Sequence, residues 1–259
     1  MRPVSPESGV SVSDQLLYLV PLICFVGAFL STVAGLGGGL LILACTSLLL
    51  PLSQVVPLNG VMILAGQVTR AVQFRKHIDW SITRPFIPGS VIGAVVGSLV
   101  YFALPEAFIA IMLACVMLWF TWVPTTDRSR ALAARIRHPW FLVGIIHTFL
   151  STVSGGGGLM QSLMVNSKLG KQAMVGTIAG TLLFMALFKS VGYLLAGFDY
   201  TPYLPMIGLC WVMGVAGTAL GSWMLDSLPD RFFRQLIKMS VTIFALRLFW
   251  QASQLLWAS

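Results

Sequence analysis

Apolar segments of about twenty residues follow one another along almost the whole chain, and a helix needs that length and character to cross the hydrocarbon of a bilayer. Charged residues make up 9% and apolar residues 57% of the 259. A soluble domain carries about 25% charged residues, so this chain lacks the polar surface to face water. A soluble enzyme, a disordered chain and a disulfide-stapled secreted module are thereby excluded. What remains is an all-α polytopic membrane protein whose first partner is the lipid bilayer. The formal net charge of +8 reads as topology rather than as a nucleic-acid footprint, because Lys and Arg collect on the cytoplasmic side of a membrane. Cys24, Cys45, Cys115 and Cys210 all lie in apolar runs without CxxC spacing. They are expected to be free thiols acting as small apolar fillers, and no metal or cofactor is expected. Arg2, Glu7 and Asp14, with no small-residue cleavage site after the first apolar run, point to a retained first helix rather than a cleaved signal.

The predicted helical runs are 16–34, a short 40–50, 55–74, 85–104 and 107–123. After a polar stretch they continue at 140–154, a short 159–165, 173–196, 203–225 and 232–257. The two sets repeat one another. FLSTVAGLGG (Phe29 to Gly38) matches FLSTVSGGGG (Phe149 to Gly158) at eight of ten positions. Ile78 to Ser81 parallels Phe198 to Thr201, Gly93 to Ser98 parallels Gly217 to Ser222, and Leu104 to Phe108 parallels Leu228 to Phe232. Repeats of this kind fix the architecture before any single residue does. The chain divides into a tail (1–13), a first repeat bundle (14–123), a basic linker (124–139) and a second repeat bundle (140–257). The linker holds Arg128, Arg130, Arg135 and Arg137 and is expected to be cytoplasmic at a cell inner membrane.

Charge predicts how the halves relate. Loop 75–84 carries Arg75, Lys76 and Arg84, while its counterpart 197–202 carries only Asp199. Loop 51–54 is uncharged, while its counterpart carries Lys168 and Lys171; loop 104–107 has Glu106, where its counterpart has Arg231 and Arg234 beside Asp226 and Asp230. Every matched loop reverses its bias, which is expected of two inverted-topology repeats. Five crossings per half would leave both termini outside. A homodimer is neither required nor excluded.

Each half is interrupted by glycines, at Gly35, Gly37, Gly38 and Gly39 and at Gly155, Gly156, Gly157 and Gly158. Irregular backbone at membrane depth survives only inside protein or against a watery cavity. A helix that starts just beyond such a break directs its free N–H groups and positive dipole end into that cavity, an arrangement suited to anions. Ser31, Thr32, Ser151, Thr152 and Ser154 place hydroxyls beside the breaks, which are predicted to meet near the midplane. By contrast, the pairs Gly93/Gly97 and Gly217/Gly221 are expected to serve close helix packing.

FLSTVAGLGGGLL with its near-copy in the second half resembles the TauE/SafE family of sulfite exporters, over residues 14 to 257. The resemblance implies transport of sulfur-containing anions such as sulfite, sulfoacetate or related organosulfonates across the cytoplasmic membrane. Composition and spacing by themselves indicate a membrane transporter with an anion-friendly centre and a small anionic substrate.

Several polar residues within apolar runs are candidate ligands. Arg70 and Lys189 occupy near-equivalent places in the two halves, each about two turns from a helix end, and charge at depth is costly and usually functional. The competing role is snorkelling, which is favoured for Arg247. Gln67 and Gln73 flank Arg70, and Asn59 shares its helix; their amides suit either an oxyanion or a neighbouring helix. Thr177 and Thr181 share a face in the second half. His147 stands before the second break and is a candidate for proton coupling or for an interhelical contact. Asn166 and Gln161 follow that break. Trp119, Trp122, Trp140, Trp250 and Trp257 lie near segment ends, as interfacial belts require.

No Walker sequence accompanies the glycines, so a gradient must drive any transport, with the repeats rocking in alternating access. Two other functions stay open on sequence alone. One is an anion channel, since glycine backbone also lines filters. The other is an intramembrane serine hydrolase using Ser154, although Ser154 does not sit in G-x-S-x-G.

Overall fold

A computed structural model describes residues 14–34, 38–122, 139–156, 160, 163–164, 169 and 171–224. Towards the C-terminus it describes 239, 242–243, 245–246, 248–250 and 252–254. Among the described residues the chain is helical and carries no strand. The helices are α1 (Asp14–Ala34), α2 (Gly38–Thr46), α3 (Leu52–Met62), α4 (Leu64–Gln73), α5 (Trp80–Ala103), α6 (Glu106–Trp122), α7 (Pro139–Ser154), α8 (Lys171–Leu195) and α9 (Leu204–Met224). Among the described residues, five stretches are long and apolar enough to cross a membrane: α1, α3 with α4, α5, α8, and α9 with the turn before it. The protein is therefore an all-α polytopic membrane protein. Most of the short segment 159–165, the linker 124–138 and most of 232–257 lie outside the described residues.

Two boundaries differ from expectation. The 55–74 run is two helices meeting at Ile63, which keeps helical dihedrals (φ −77, ψ −12). The Ile63 N–H reaches the Asn59 carbonyl at 3.2 Å, so the ladder is only locally irregular. The second difference is the start of α5, at Trp80 rather than Pro85, because Asp79 caps it by accepting the Ser81 N–H at 2.9 Å. Pro85 and Pro88 therefore lie inside the helix, and Arg84 belongs to it and not to the preceding loop. The related turn in the second half repeats the device: Asp199 accepts the Thr201 N–H at 2.9 Å. The Thr201 hydroxyl and N–H hold its carboxyl below the usual range.

The core is built by exchange between the halves. In α1 against α9, Phe25 lies against Gly217, and Phe29 and Thr32 lie against Gly221. In α5 against α7, Phe141 lies against Gly89, Ile145 against Gly93, and Phe149 and Thr152 against Gly97. Numbers rise together along both pairs, so each pair runs parallel. The two interfaces also correspond residue by residue, since Phe29 and Thr32 are the sequence counterparts of Phe149 and Thr152, as Gly221 is of Gly97. A methyl on Gly221 would lie 2.8 Å from the Phe29 carbonyl oxygen, and one on Gly97 2.8 Å from the Thr152 Cβ. Only glycine allows backbones this close.

α3–α4 and α8 also touch. Gly60 lies against Lys189 and Ser190, while Phe74 and His77 lie against Gly176. Numbers rise along one and fall along the other, so these sequence-related segments run antiparallel. Side-chain distribution follows the solvent. Val95, Leu99, Val212, Val215 and Trp223 are exposed on α5 and α9, whereas Asn59, Gln67, Arg70, His147, Thr181 and Lys189 are buried. Polar groups inside and apolar groups outside suit a hydrocarbon surround.

Because the two glycine seams correspond, Gly93→Val and Gly217→Val should each destabilise the protein by about 1–3 kcal/mol through overpacking. Gly208→Val should be silent, since nothing lies within 4 Å of a side chain there. Thermal melting of the purified variants in detergent checks this; a silent Gly93→Val would show that the seam is not tight.

Candidate functional site at the first glycine break

A cavity opens where α1, the start of α2, the α3–α4 junction and α9 converge. α1 contributes Cys24, Gly27, Ala28 and Ser31, one helical face at spacings of three and four residues. α2 contributes Gly39 and Ile42, the junction contributes Met62, Ile63, Gly66, Gln67 and Arg70, and α9 contributes Gly214. Small residues make the space. Gly27 leaves the α1 face bare, and Gly66 sits 3.6 Å (from its ideal Cβ) from the Gly214 carbonyl oxygen.

The cavity holds one cation and one neutral amide among its lining side chains. Arg70 and Gln67 are buried, and neither the Arg70 Nε nor the Gln67 Oε1 has a hydrogen-bond partner. Among the described residues, no acidic residue lines the cavity. A guanidinium buried without a carboxylate is expensive unless an anion or water completes it. α2 begins at Gly38, and a side chain at Gly39 would meet nothing within 4 Å. The N-terminus of α2, the positive end of its dipole, therefore lies at the edge of this space. Cation, amide and helix N-terminus converge on one small volume, and that combination attracts an oxyanion.

The second break is built differently. Gly155 has φ +75, a backbone conformation that favours glycine. Its carbonyl accepts from Asn59 Nδ2 at 3.1 Å and lies 3.5 Å from Lys189 Nζ. A side chain there would fall 2.8 Å from Val56 Cγ2 and 2.9 Å from Leu43 Cδ1. Gly155 is thus packed against α2 and α3.

The sequence-predicted residues fall into three groups. Ser31, Gly39, Gln67 and Arg70 line the cavity. Asn59, Lys189 and Gly155 form the clamp just described. The rest serve the scaffold. Thr32 and Thr152 donate to the Ala28 and Thr148 carbonyls and pack on the glycine seams. Thr177 accepts the Asp79 N–H at 2.9 Å, and Gln73 donates to the Ser222 hydroxyl at 2.7 Å. The Ser154 hydroxyl lies within reach of the Leu150 and Gly156 carbonyls, at 2.6 and 2.9 Å. Ser151 is buried. Both His147 ring nitrogens are buried without a hydrogen-bond partner, so no serine–histidine pair forms. Gly35, Gly37, Gly157, Gly158, Gln161, Asn166 and Arg247 lie outside the described residues. Sequence reasoning passed over Gly27, Gly66 and Gly214, whose signal is the absence of a side chain beside polar neighbours. It also passed over Tyr193, whose hydroxyl donates to the Thr152 carbonyl.

The family model described as sulfite exporter TauE/SafE matches residues 19–248, a span that includes the whole cavity and both breaks. The chain belongs to the TauE/SafE family. No curated protein and no solved structure matches significantly. Membership makes the protein a membrane transporter of the sulfite-exporter kind, with its apolar helices in the bilayer.

The two breaks should respond differently to a methyl group. Gly155→Ala combines a disfavoured φ with a clash and should lower the melting temperature by several degrees, as expected for about 1–3 kcal/mol of strain. Gly39→Ala should fold normally and impair only transport. Equal stability of the two variants in a melting assay would contradict this assignment.

Proposed function

We propose that this TauE/SafE protein is a secondary transporter that carries a small sulfur-containing anion, such as sulfite or an organosulfonate, through the cavity at the first glycine break. The observation that carries the proposal is Arg70, a buried cation with an unpartnered Nε, set in a cavity with no acid among its described lining residues. Arg70 supplies the charge and a forked donor, the Gln67 Nε2 supplies a neutral donor, and Ser31 with the α2 N-terminus completes the cradle. The family supplies the sulfur-anion class.

The movement in this proposal is alternating access between inverted repeats. Its support is the antiparallel run of α3–α4 against α8, the matched seams, and the reversed charge of matched loops. In this arrangement the arginine-rich linker 124–139 is cytoplasmic at the inner membrane. No nucleotide site is present in the sequence, so an ion gradient or the membrane potential drives transport. The hydrolase alternative is disfavoured by the Ser154 hydroxyl, which is engaged with backbone carbonyls.

Proteoliposomes loaded with sulfite, sulfoacetate, sulfate or acetate, with and without a pH gradient, test the function. Saturable uptake with counterflow of a sulfur anion is expected, whereas ohmic current would mark a channel. Arg70→Gln should reduce uptake by about tenfold or more, the loss of one charged hydrogen bond. Unchanged affinity and rate in that variant would remove Arg70 from the path.

A further inference from the structure

The tight helix contacts do not follow the sequence halves. α1 of the first half is seamed to α9 of the second, and α7 of the second half to α5 of the first. A further helix joins each seam in the same way. On α9, the Trp211 indole donates to the Val61 carbonyl at 2.7 Å, and Ser222 accepts from Gln73 at 2.7 Å. Between them, a methyl on Gly66 would lie 3.2 Å from the Thr218 hydroxyl. On α5, a methyl on Gly192 of α8 would lie 3.1 Å from the Ser98 hydroxyl and 3.2 Å from the Ala94 carbonyl oxygen. Ser98 and Ser222 are counterparts in the repeat, as are Ala94 and Thr218.

Two matching units result. One consists of α1, α3–α4 and α9, and the other of their repeat counterparts α7, α8 and α5. Among the described helices, the units meet chiefly through α3–α4 against α8. That junction is softer than the seams. At the seams, Gly217, Gly89 and Gly93 face the carbonyls of Phe25, Phe141 and Ile145, which the facing helix holds in place. At the junction, Gly60 faces the Lys189 Cε and the Ser190 hydroxyl, which are movable side-chain atoms. The Phe74 carbonyl oxygen does come within 3.0 Å of a methyl placed on Gly176, but it lies beside the turn that links α4 to α5 and so joins the units covalently. The amide of Asn59 crosses the junction to the Gly155 carbonyl at 3.1 Å. Side chains and single hydrogen bonds can repack when rigid bodies rotate, whereas interlocked backbones resist deformation.

We propose that the bodies that move against each other during transport are these two exchanged units and not the two sequence halves. Each unit takes its first helices from one half and its last from the other, so the units remain inverted copies. Ser31, Gln67, Arg70 and Gly214 all belong to the first unit. The anion site therefore travels as one piece, and motion at α3–α4 against α8 exposes it to either side. Rocking of the sequence halves would instead pull Gly217 from Phe25 and Gly93 from Ile145. The inference rests on the alternating access proposed above and deepens it by naming the moving parts.

Tyr18, Leu99, Leu142 and Trp223 are exposed and can carry probes without disturbing the core. The test is double electron–electron resonance between iodoacetamide-linked nitroxides, whose thioether bond sulfite does not cleave. It uses full-length protein in liposomes, with the four native cysteines replaced, without anion and with saturating sulfite or sulfoacetate. The pair Tyr18→Cys/Trp223→Cys spans the halves within the first unit, and Leu99→Cys/Leu142→Cys does so within the second. The pair Tyr18→Cys/Leu99→Cys lies within the first half and spans the units. The two within-unit distances should hold to within about 1 Å, while the Tyr18–Leu99 distance should shift by about 2 Å or more. A shifted Tyr18–Trp223 or Leu99–Leu142 distance would overturn the exchanged units. If the Tyr18–Leu99 distance then stayed fixed, alternating access between the sequence halves would stand in their place. Three fixed distances in every condition would overturn alternating access itself, and the inference with it.

Discussion

The structure depends on two backbone-to-backbone seams in which a glycine of one helix meets a carbonyl of the other. Inside a membrane, apolar side chains gain nothing by leaving lipid for protein, so helices associate through close packing and polar contacts instead. Gly217 and Gly221 admit α1 to α9, and Gly93 and Gly97 admit α7 to α5. Each seam takes one helix from each half. The two halves are thus interlocked, and the polar faces of α1, α4, α7 and α8 are forced inward, where Arg70, Gln67, Lys189 and His147 are buried.

That geometry explains why two similar glycine breaks have different chemistry. Burying a cation requires something to complete it. Lys189 has a carbonyl, fixed by the positive φ of Gly155 and shared with Asn59. Arg70 faces a cavity and has an unpartnered Nε. The first arrangement is closed and self-sufficient, and the second is open to a ligand. A transporter needs one such incomplete site, because a cation already satisfied by protein gains little when an anion arrives.

Much of this was legible in the sequence, since spanning helices, glycine seams and the repeat depend on local pattern. The start of α5 was not, because Pro85 resembles a first-turn proline while the decisive signal, Asp79 followed by Ser81, is a short cap. Roles within the site were only partly legible. Arg70 and Lys189 look equivalent along the sequence, yet one residue of register is about 100° around a helix. This rotation suffices to turn one cation to the cavity and the other to the Gly155 carbonyl. Thr177 shows the same limit, because its hydroxyl serves an N–H nearly a hundred positions away.

The two halves keep their packing while differing in the side chains they bury beside it. Gly27 and His147 stand at the same place in the repeat, and their neighbours Thr32 and Thr152 make the same hydrogen bond to the carbonyl four residues back. The packing contacts were therefore kept between the halves while the residue five positions earlier changed, as expected when different faces of one helix are under different constraints.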